Sequence, residues 1–447
     1  MAPPNPGSES RARAHLMRIY AAAISAVAPD RVVARALEGA LPDAEPVPSL
    51  IDAAEANRLI AVGKAAFGMA REVQARLAKK LRDALVIMPH SQSQPGISLP
   101  GMRIITSAHP LPDASSEAAG RAALDFVAST RHGELILIAL SGGTSALMAV
   151  PAEGVKLADK SAITSGLLRS GASIRELNAV RKHLSAIKGG LLLRAAPPGV
   201  RLLSLILSDV PGNDLGTIGS GPVAADATTF ADAVAVLKRR GLWGRAPEAI
   251  RAHLERGAAG EIRETVKRGD PELDRATNLV IADNATAIEA AADTAAGLGY
   301  QLERARDLAG EANDVGSAMA THLSSIERDR VCMIAGGEPV VTVRGAGKGG
   351  RAQQCALAMA LELDRIEPDR RLVALFAGTD GIDGPTEAAG AIITATTVRR
   401  AKEADVDPSS ALERNDAYNL FNRLGDLIIT GPTGTNVGDI FVGLVNY

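Results

Sequence analysis

The chain has little with which to cross-link, to stack on bases or to carry a net field. Two cysteines, Cys332 and Cys355, stand in 447 residues, outside any CxxC or Cys/His spacing. That excludes a disulfide framework and a zinc ribbon, and it sets the expectation of a reducing, cytoplasmic location. Aromatic residues are scarce, with one Trp, four Tyr and six Phe, and 49 Lys plus Arg are matched by 51 Asp plus Glu. Neither a base-stacking platform nor a basic face for phosphate backbones can be built from this supply, so no nucleic acid partner is expected. The longest strongly apolar runs, such as 135–140 and 202–207, fall well short of the roughly 20 residues of a membrane-spanning helix, so no membrane partner is expected either. One stretch imitates a signal peptide: Arg11, Arg13 and Arg18 precede an alanine-rich segment, 19–27. It reads better as an amphipathic helix, because Leu16, Ile19, Tyr20, Ile24 and Val27 recur at spacings of three and four, with Ser8 or Ser10 as cap.

What is present is an alternation of β-rich runs with helical stretches. Residues 58–63, 84–88, 103–107, 134–140 and 202–208 read as strands, and 65–81, 115–129 and 173–187 as helices. Apolar runs without alternation imply strands covered on both faces, hence a mostly parallel sheet between helices, joined by right-handed crossovers. From 232 to 275 the chain turns charged and helical, ending in 261–275, where nine of fifteen residues are charged; the domain boundary is placed there. This gives a first domain over 1–250 and a second over 275–447. The second series of strands is 278–282, 300–305, 331–335, 340–343, 372–376, 391–393, 427–430 and 440–445. Because only GGEP separates 331–335 from 340–343, that pair is expected as a hairpin or bent strand within a mixed sheet.

Several loops have the composition of a site. After the strand 135–140 come Ser141, Gly142, Gly143, Thr144 and Ser145 and then a helix. Glycines let backbone N–H groups close round a phosphate, hydroxyls add donors, and a helix N-terminus adds positive potential. The same glycines also suit a plain tight turn. The motif is neither a Walker A loop nor GxGxxG. After 202–207, Asp209 opens a loop that contains Asn213, Gly219, Ser220 and Gly221; an acid there can hold Mg²⁺ or make an Asx turn. Lys64 sits between the strand 58–63 and its helix, at the carboxyl edge of the sheet where α/β folds bind ligands. A cation at a helix N-terminus opposes the macrodipole, which favours a ligand-binding reason for it. Arg181 and Lys188 are seven apart and share a helix face, which with Lys182 and His183 is expected as a solvated basic surface or, less commonly, an anion contact. In the second half, Gly336–Gly337–Glu338–Pro339, a glycine-rich basic loop with Lys348 and Arg351, and the acidic loop with Asp380 and Asp383 are further candidates, the last as a weak metal loop or an Asp–Gly turn.

Taken together, these segments resemble the glycerate 2-kinases built from an N-terminal glycerate-kinase domain and a C-terminal MOFRL domain, some of which carry the older label hydroxypyruvate reductase. The resemblance rests on VGKAAFGMA at 62–70, HPLPDASS at 109–116, ALSGGTSALM at 139–148, LNAVRKHLSAIKGG at 177–190 and SDVPGNDLGTIGSGP at 208–222. It continues with GGEPVVTV at 336–343, GKGGRAQQ at 347–354, FAGTDGIDGPTEAAGA at 376–391 and TGPTGTNVGD at 430–439. It implies an α/β fold of two domains, an N-terminal Rossmann-like α/β/α sandwich and a C-terminal mixed-sheet domain, with the active site in the cleft between them. It also implies ATP-dependent, Mg²⁺-assisted phosphorylation of the 2-hydroxyl of D-glycerate by a monomer or homodimer. Lys64 and Arg351 are then the catalytic residues. Ser141, Gly142, Gly143, Thr144, Ser145, Gly219, Ser220 and Gly221 are expected to hold nucleotide phosphates, Lys64, Asn213 and Arg351 the substrate, and Asp209 and Asp380 the metal. Where the family usually reads GGRNQE this chain reads GGRAQQ, so Ala352 and Gln354 bear on substrate contacts. The competing expectations are an NAD(P)H-dependent hydroxypyruvate reductase, for which no GxGxxG follows any predicted strand, and a non-catalytic ligand sensor on the same fold.

Overall fold

The computed structural model describes residues 6–93 and 96–447. The chain divides into two compact units, one of residues 29–281 and one that joins the residues up to 28 to 282–447. No helix among the described residues is long and apolar enough to cross a membrane.

The first unit is built on six strands: β1 (Asn57–Val62), β2 (Leu81–Pro89), β3 (Met102–Ser107), β4 (Leu135–Leu140), β5 (Arg201–Leu207) and β6 (Ala276–Ala282). They lie in the order β3-β2-β1-β4-β5-β6, and the pairs among the first five are parallel. Every residue of β1 and β4 is buried, as unalternating apolar strands covered on both faces should be. Each such Leu or Ile contributes about 1.5–3 kcal/mol of burial. The chain moves outward from β1 through β2 and β3, then returns to the other side of β1 as β4. This reversal is the switch point at which open α/β sheets leave a crevice outside the carboxyl ends of the strands.

Two expectations change here. The segment 278–282, read as the start of the second series, is β6, at the edge of the first sheet. The charged stretch before it is tied down rather than free: Glu272 pairs with Arg194 at 3.1 Å and with Arg263 at 2.7 Å. The helices Phe230–Arg239 and Glu248–Ala258 likewise belong to this unit, packing Phe230, Leu237 and Leu254 against Leu167 and Val180.

The second unit has β7 (Gln301–Arg304), β8 (Val331–Gly337), β9 (Leu372–Gly378), β10 (Gly390–Thr394), β11 (Leu427–Ile428) and β12 (Asp439–Val445), in the order β11-β10-β9-β12-β8-β7. Only β7 and β8 run parallel among these pairs, so the sheet is mixed as expected. The helices Ala312–Ser325 and Arg351–Ile366 pack against it round Phe376 and Phe441, whose ring centroids are 4.7 Å apart. Of the two forms expected at 331–343, the hairpin does not form and the bend does: past Gly337 (φ 148°) the chain keeps its parallel partner through the bridges Leu308–Gly337 and Glu311–Val340, with the Thr342 N–H donating to Glu311 Oε1 at 2.6 Å. The N-terminal helix runs from Pro6 to Ala26, so Ser8 and Ser10 lie inside it and do not cap it. Its buried Leu16, Ile19 and Tyr20 face the second unit, and Tyr20 Oη donates to the Gly378 carbonyl at 2.6 Å. This helix thus packs beside the last strand of the chain.

Candidate functional site

In the first unit three loops meet at the switch point. β1 ends at Val62, and Gly63, at φ 126°, turns the chain into Lys64 and the helix Ala66–Leu77. The Lys64 N–H donates to the Gly142 carbonyl at 2.9 Å, and the Ser141 N–H to the Val62 carbonyl at 3.0 Å. The Ala65 N–H donates to Ser141 Oγ at 3.0 Å. The fit leaves room for no side chain, since a Cβ on Gly63 would stand 2.1 Å from Ser141 Oγ. The loop after β5 closes the third side: a Cβ on Gly219 would lie 2.9 Å from Thr144 Cγ2, and Ser220 Oγ is 3.0 Å from Ser145 Oγ. Ser220 holds φ 63° without being glycine, a strained conformation, and Asn213 on the same loop holds φ 53°. Lys64, Asp209 and Asn213 are half-buried on these loops.

The hydroxyls are unequal. Thr144 Oγ1 donates inward to the Ser141 carbonyl at 2.7 Å, and Ser141 Oγ is held by Ala65; both shape the loop. The helix that follows is only Thr144–Leu147, so its dipole adds little, contrary to the sequence expectation. Positive charge comes from elsewhere. The helix Ile174–His183 does not present a solvated basic face. Lys182 is buried against Asp226 at 3.2 Å, and His183 Nε2 lies 3.0 Å from Glu264. Arg181 bonds Ser145 Oγ, and Lys188 Nζ donates to Ser145 Oγ at 2.7 Å and to its carbonyl at 2.9 Å. Burial pushes the Lys188 pKa well below its usual value, helped by Arg181, and burial lowers Arg181 too. Lys160 is fully enclosed, and burial followed by the charge of Arg181 brings its pKa down to about 7. Lys160 was missed from the sequence. The signal was its spacing with Ile163 and Leu167, which puts a lysine on the apolar face of the helix Leu157–Arg169.

In the second unit Arg351 opens the helix Arg351–Ile366. Its Nε donates to Asp439 Oδ2 at 2.7 Å and its Nη2 to Oδ1 at 3.1 Å, a bidentate fork, while Nη1 bonds Glu338. Glu338 follows β8 and Asp439 opens β12, its antiparallel neighbour, which is why two distant motifs meet at one guanidinium. Burial opposes the charge of Arg351, but Asp439 and Glu338 outweigh it and raise its pKa. Burial likewise lifts Asp439 to about 6 even though Arg351 pulls it down. Asp383, read with Asp380 as a weak metal loop or an Asp–Gly turn, is buried as a cap, accepting the N–H groups of Ala352 at 3.1 Å and Gln353 at 2.8 Å. Burial first, then the charge of Asp439, raises it to about 7. Asp380 stays half-buried, with the Ile382 N–H on its Oδ1 at 3.1 Å. Lys348 lies 3.9 Å over the Tyr418 ring beside Glu387. Ala352 and Gln354, where the chain departs from GGRNQE, are buried; Gln354 Nε2 donates to Asn313 Oδ1 and to the Leu412 carbonyl, both at 3.0 Å. Among the described residues no three His, Cys, Asp or Glu side chains converge as a metal cage.

One unit with a glycine–serine crevice at the switch point of its sheet, and a second with a mixed sheet and a braced arginine, define a two-unit α/β protein of a recognisable kind. The family model described as "Domain of unknown function (DUF4147)" matches residues 15–255, and that of the MOFRL family matches 331–439. The glycerate 2-kinase of Pyrococcus horikoshii is 38% identical over 395 residues, 87% of this chain and 87% of that one. The D-glycerate 2-kinase of Thermotoga maritima is 36% identical over 423 residues, 93% of this chain and 97% of that one. The crystal structure of glycerate kinase from Thermotoga maritima superposes with a TM-score of 0.83 at 35% identity, covering 98% of this chain and 100% of that one. The chain belongs to the glycerate kinase family with an N-terminal domain and a C-terminal MOFRL domain.

Proposed function

We propose that this chain is a cytoplasmic D-glycerate 2-kinase, transferring the γ-phosphoryl group of ATP to the 2-hydroxyl of D-glycerate to give 2-phosphoglycerate and ADP. The observation that carries this reading is the meeting of Lys64 with the 141–145 loop at the switch point of a parallel sheet, where the backbone itself holds the two together. Phosphoryl transfer asks little covalent chemistry of a protein and much positioning and charge neutralisation, which suits such a crevice.

The roles divide as follows. The Gly142 and Gly143 backbone, set by Ser141 and Thr144, joins Ser145, Gly219, Ser220 and Gly221 in cradling nucleotide phosphates. Lys64 neutralises charge at the transferring group, and Lys64 and Asn213 hold the substrate's carboxylate and hydroxyls. Arg351, whose fork is fixed by Asp439 and Glu338, is assigned to the same acid substrate and to the charge that develops during transfer. Mg²⁺ keeps most of its shell as water and substrate phosphate, so one or two carboxylates suffice for it. Asp209, just past β5, and Asp380, just past β9, are the carboxylates we assign to it. When bound, the ion offsets phosphate charge and fixes phosphate geometry.

The test is to incubate the protein with Mg²⁺, ATP and D-glycerate, follow ADP, and identify the phosphoglycerate isomer, with NADH plus hydroxypyruvate run alongside. ADP with 2-phosphoglycerate is expected. The 3-isomer, or NADH oxidation without ADP, overturns the reading.

A further inference from the structure

Lys160 and Lys188 of the first unit are buried, with Arg181 half-buried beside them, and among the described residues no acid forms an ion pair with any of the three. Arg181 and Lys188 converge on a single hydroxyl, Ser145 Oγ, from two turns of chain. Lys160 lies close enough to both for their charges to act on one another. Its Nζ is enclosed and has no hydrogen-bond partner. The acid whose charge reaches it, Glu117, is spent on Arg121 at 2.6 Å. The neighbouring Lys182 shows what this fold does with a cation that is purely structural: it supplies a buried carboxylate, Asp226, at 3.2 Å. His183 is given Glu264 in the same way. Among the described residues Arg181, Lys188 and Lys160 receive none.

Uncompensated buried charge is costly unless a counter-charge arrives. The counter-charge has a shape. Ser145 Oγ accepts from both cations and faces Ser220 Oγ, which donates to Asn178 Oδ1 at 3.2 Å. Two cationic side chains and two hydroxyls thus meet at Ser145 and Ser220, on the loops that form the crevice at the switch point. We infer that Arg181 and Lys188, backed by Lys160 and gated by Ser145, are the principal binding groups for a phosphoryl group of a ligand at this site. The inference rests on the kinase reading only for the ligand's origin, a nucleoside polyphosphate or the phosphorylated product. A fork and an ammonium together match tetrahedral phosphate better than they match a planar carboxylate alone.

The experiment measures thermal stabilisation and calorimetric binding of the full chain with ADP, adenosine, 2-phosphoglycerate and inorganic phosphate, for the wild type, Arg181→Gln and Lys188→Met. Removing an unpaired buried cation should leave the ligand-free protein at least as stable as the wild type. It should weaken phosphate and ADP binding at least tenfold and leave adenosine binding unchanged. A response to ADP assigns the site to the nucleotide; a response to 2-phosphoglycerate but not ADP assigns it to the product. Folded variants that bind phosphate, ADP and 2-phosphoglycerate as the wild type does overturn the inference. A crystal structure of the wild type with ADP or 2-phosphoglycerate decides independently of the variants: a phosphorus atom within contact of Arg181 and Lys188 supports it, and phosphates bound elsewhere overturn it. Binding through these residues without 2-phosphoglycerate production would sink the kinase reading and leave the site standing.

Discussion

Arg351 and Asp439, 88 residues apart, form a two-point ion pair at 2.7 and 3.1 Å, with the carboxylate almost wholly buried. The pair fixes the guanidinium, and it also leaves Asp439 dependent on it. In the folded protein Asp439 sits at about 6, above its ordinary 3.8, because burial outweighs the pull of Arg351. A carboxylate raised on folding binds more protons in the native state, so its contribution to stability falls as pH rises through that window. Arg351→Met removes the one strong pull downward and extends the window further up. The variant should lose kcat/KM by at least about 100-fold, as for removal of a group that stabilises transition-state charge. Its melting temperature should fall more at pH 8 than at pH 5.5. An equal fall at both values would mean that Asp439 is not the group left exposed to the loss.

The closeness of Gly63 to Ser141 makes a second prediction. Gly63→Ala must place a Cβ where Ser141 Oγ and its carbonyl stand, at φ 126°, and neither backbone nor a buried serine can step aside. A cost of about 3 kcal/mol or more is expected, in the range of severe core substitutions, together with loss of activity because Lys64 and the 141–145 loop are pushed apart. Gly244→Ala, with nothing within 4 Å and no positive φ, is the control and should change stability by less than about 0.5 kcal/mol. Thermal melts of both with an ADP-release assay settle the matter; a Gly63 variant as stable as the control would show that the loops have slack.

How much of this could be read from the sequence differs between the two units. Lys64 and the Ser141–Ser145 loop were legible because a strand, a glycine and a helix start are local features, whereas their meeting depends on β1 and β4 being neighbours, an order the alternation does not carry. Arg351 was legible as a residue but its partners were not: Glu338 and Asp439 reach it only because β8 and β12 pair antiparallel, a long-range fact no local pattern carries. The basic run at 181–188 was read as a solvated face or, less commonly, an anion contact, and the structure divides it residue by residue, Lys182 to Asp226, His183 to Glu264, Arg181 and Lys188 to Ser145. The N-terminal helix was right in kind and face, yet its packing against β9 and β12 depends on where the two chain ends lie in space.

The departure from GGRNQE should act on stability rather than on substrate choice. Gln354 spends its amide on Asn313 and the Leu412 carbonyl in the interior. Gln354→Glu replaces two donated bonds with a buried acceptor facing acceptors, which costs about 1–3 kcal/mol. The KM for D-glycerate should stay within about twofold while the denaturant midpoint drops. A variant with wild-type stability and an altered KM would place this side chain in substrate recognition after all.

Lys160 Nζ is buried with no hydrogen-bond partner among the described residues. Its folded pKa of about 7, against an ordinary 10.5, means that burial favours the neutral form first, with Arg181 adding repulsion. Between these two values the unfolded chain binds more protons than the native one, so the stability contributed by this residue rises with pH from about 7 to 10.5 and is at its lowest below 7. Lys160→Met removes the titrating charge and keeps most of the apolar volume. The variant should melt above the wild type at pH 6, the gap narrowing steadily toward pH 10, with a few kcal/mol at stake for a shift of this size. Ligand reverses the comparison: if phosphate supplies the missing counter-charge, the wild type should gain more stability from phosphate at pH 6 than at pH 9, and Lys160→Met should show little of that dependence. A variant less stable than the wild type at pH 6 without ligand would mean that Lys160 is a satisfied structural residue, and the charge imbalance at Ser145 would then have to be sought in Arg181 and Lys188 alone.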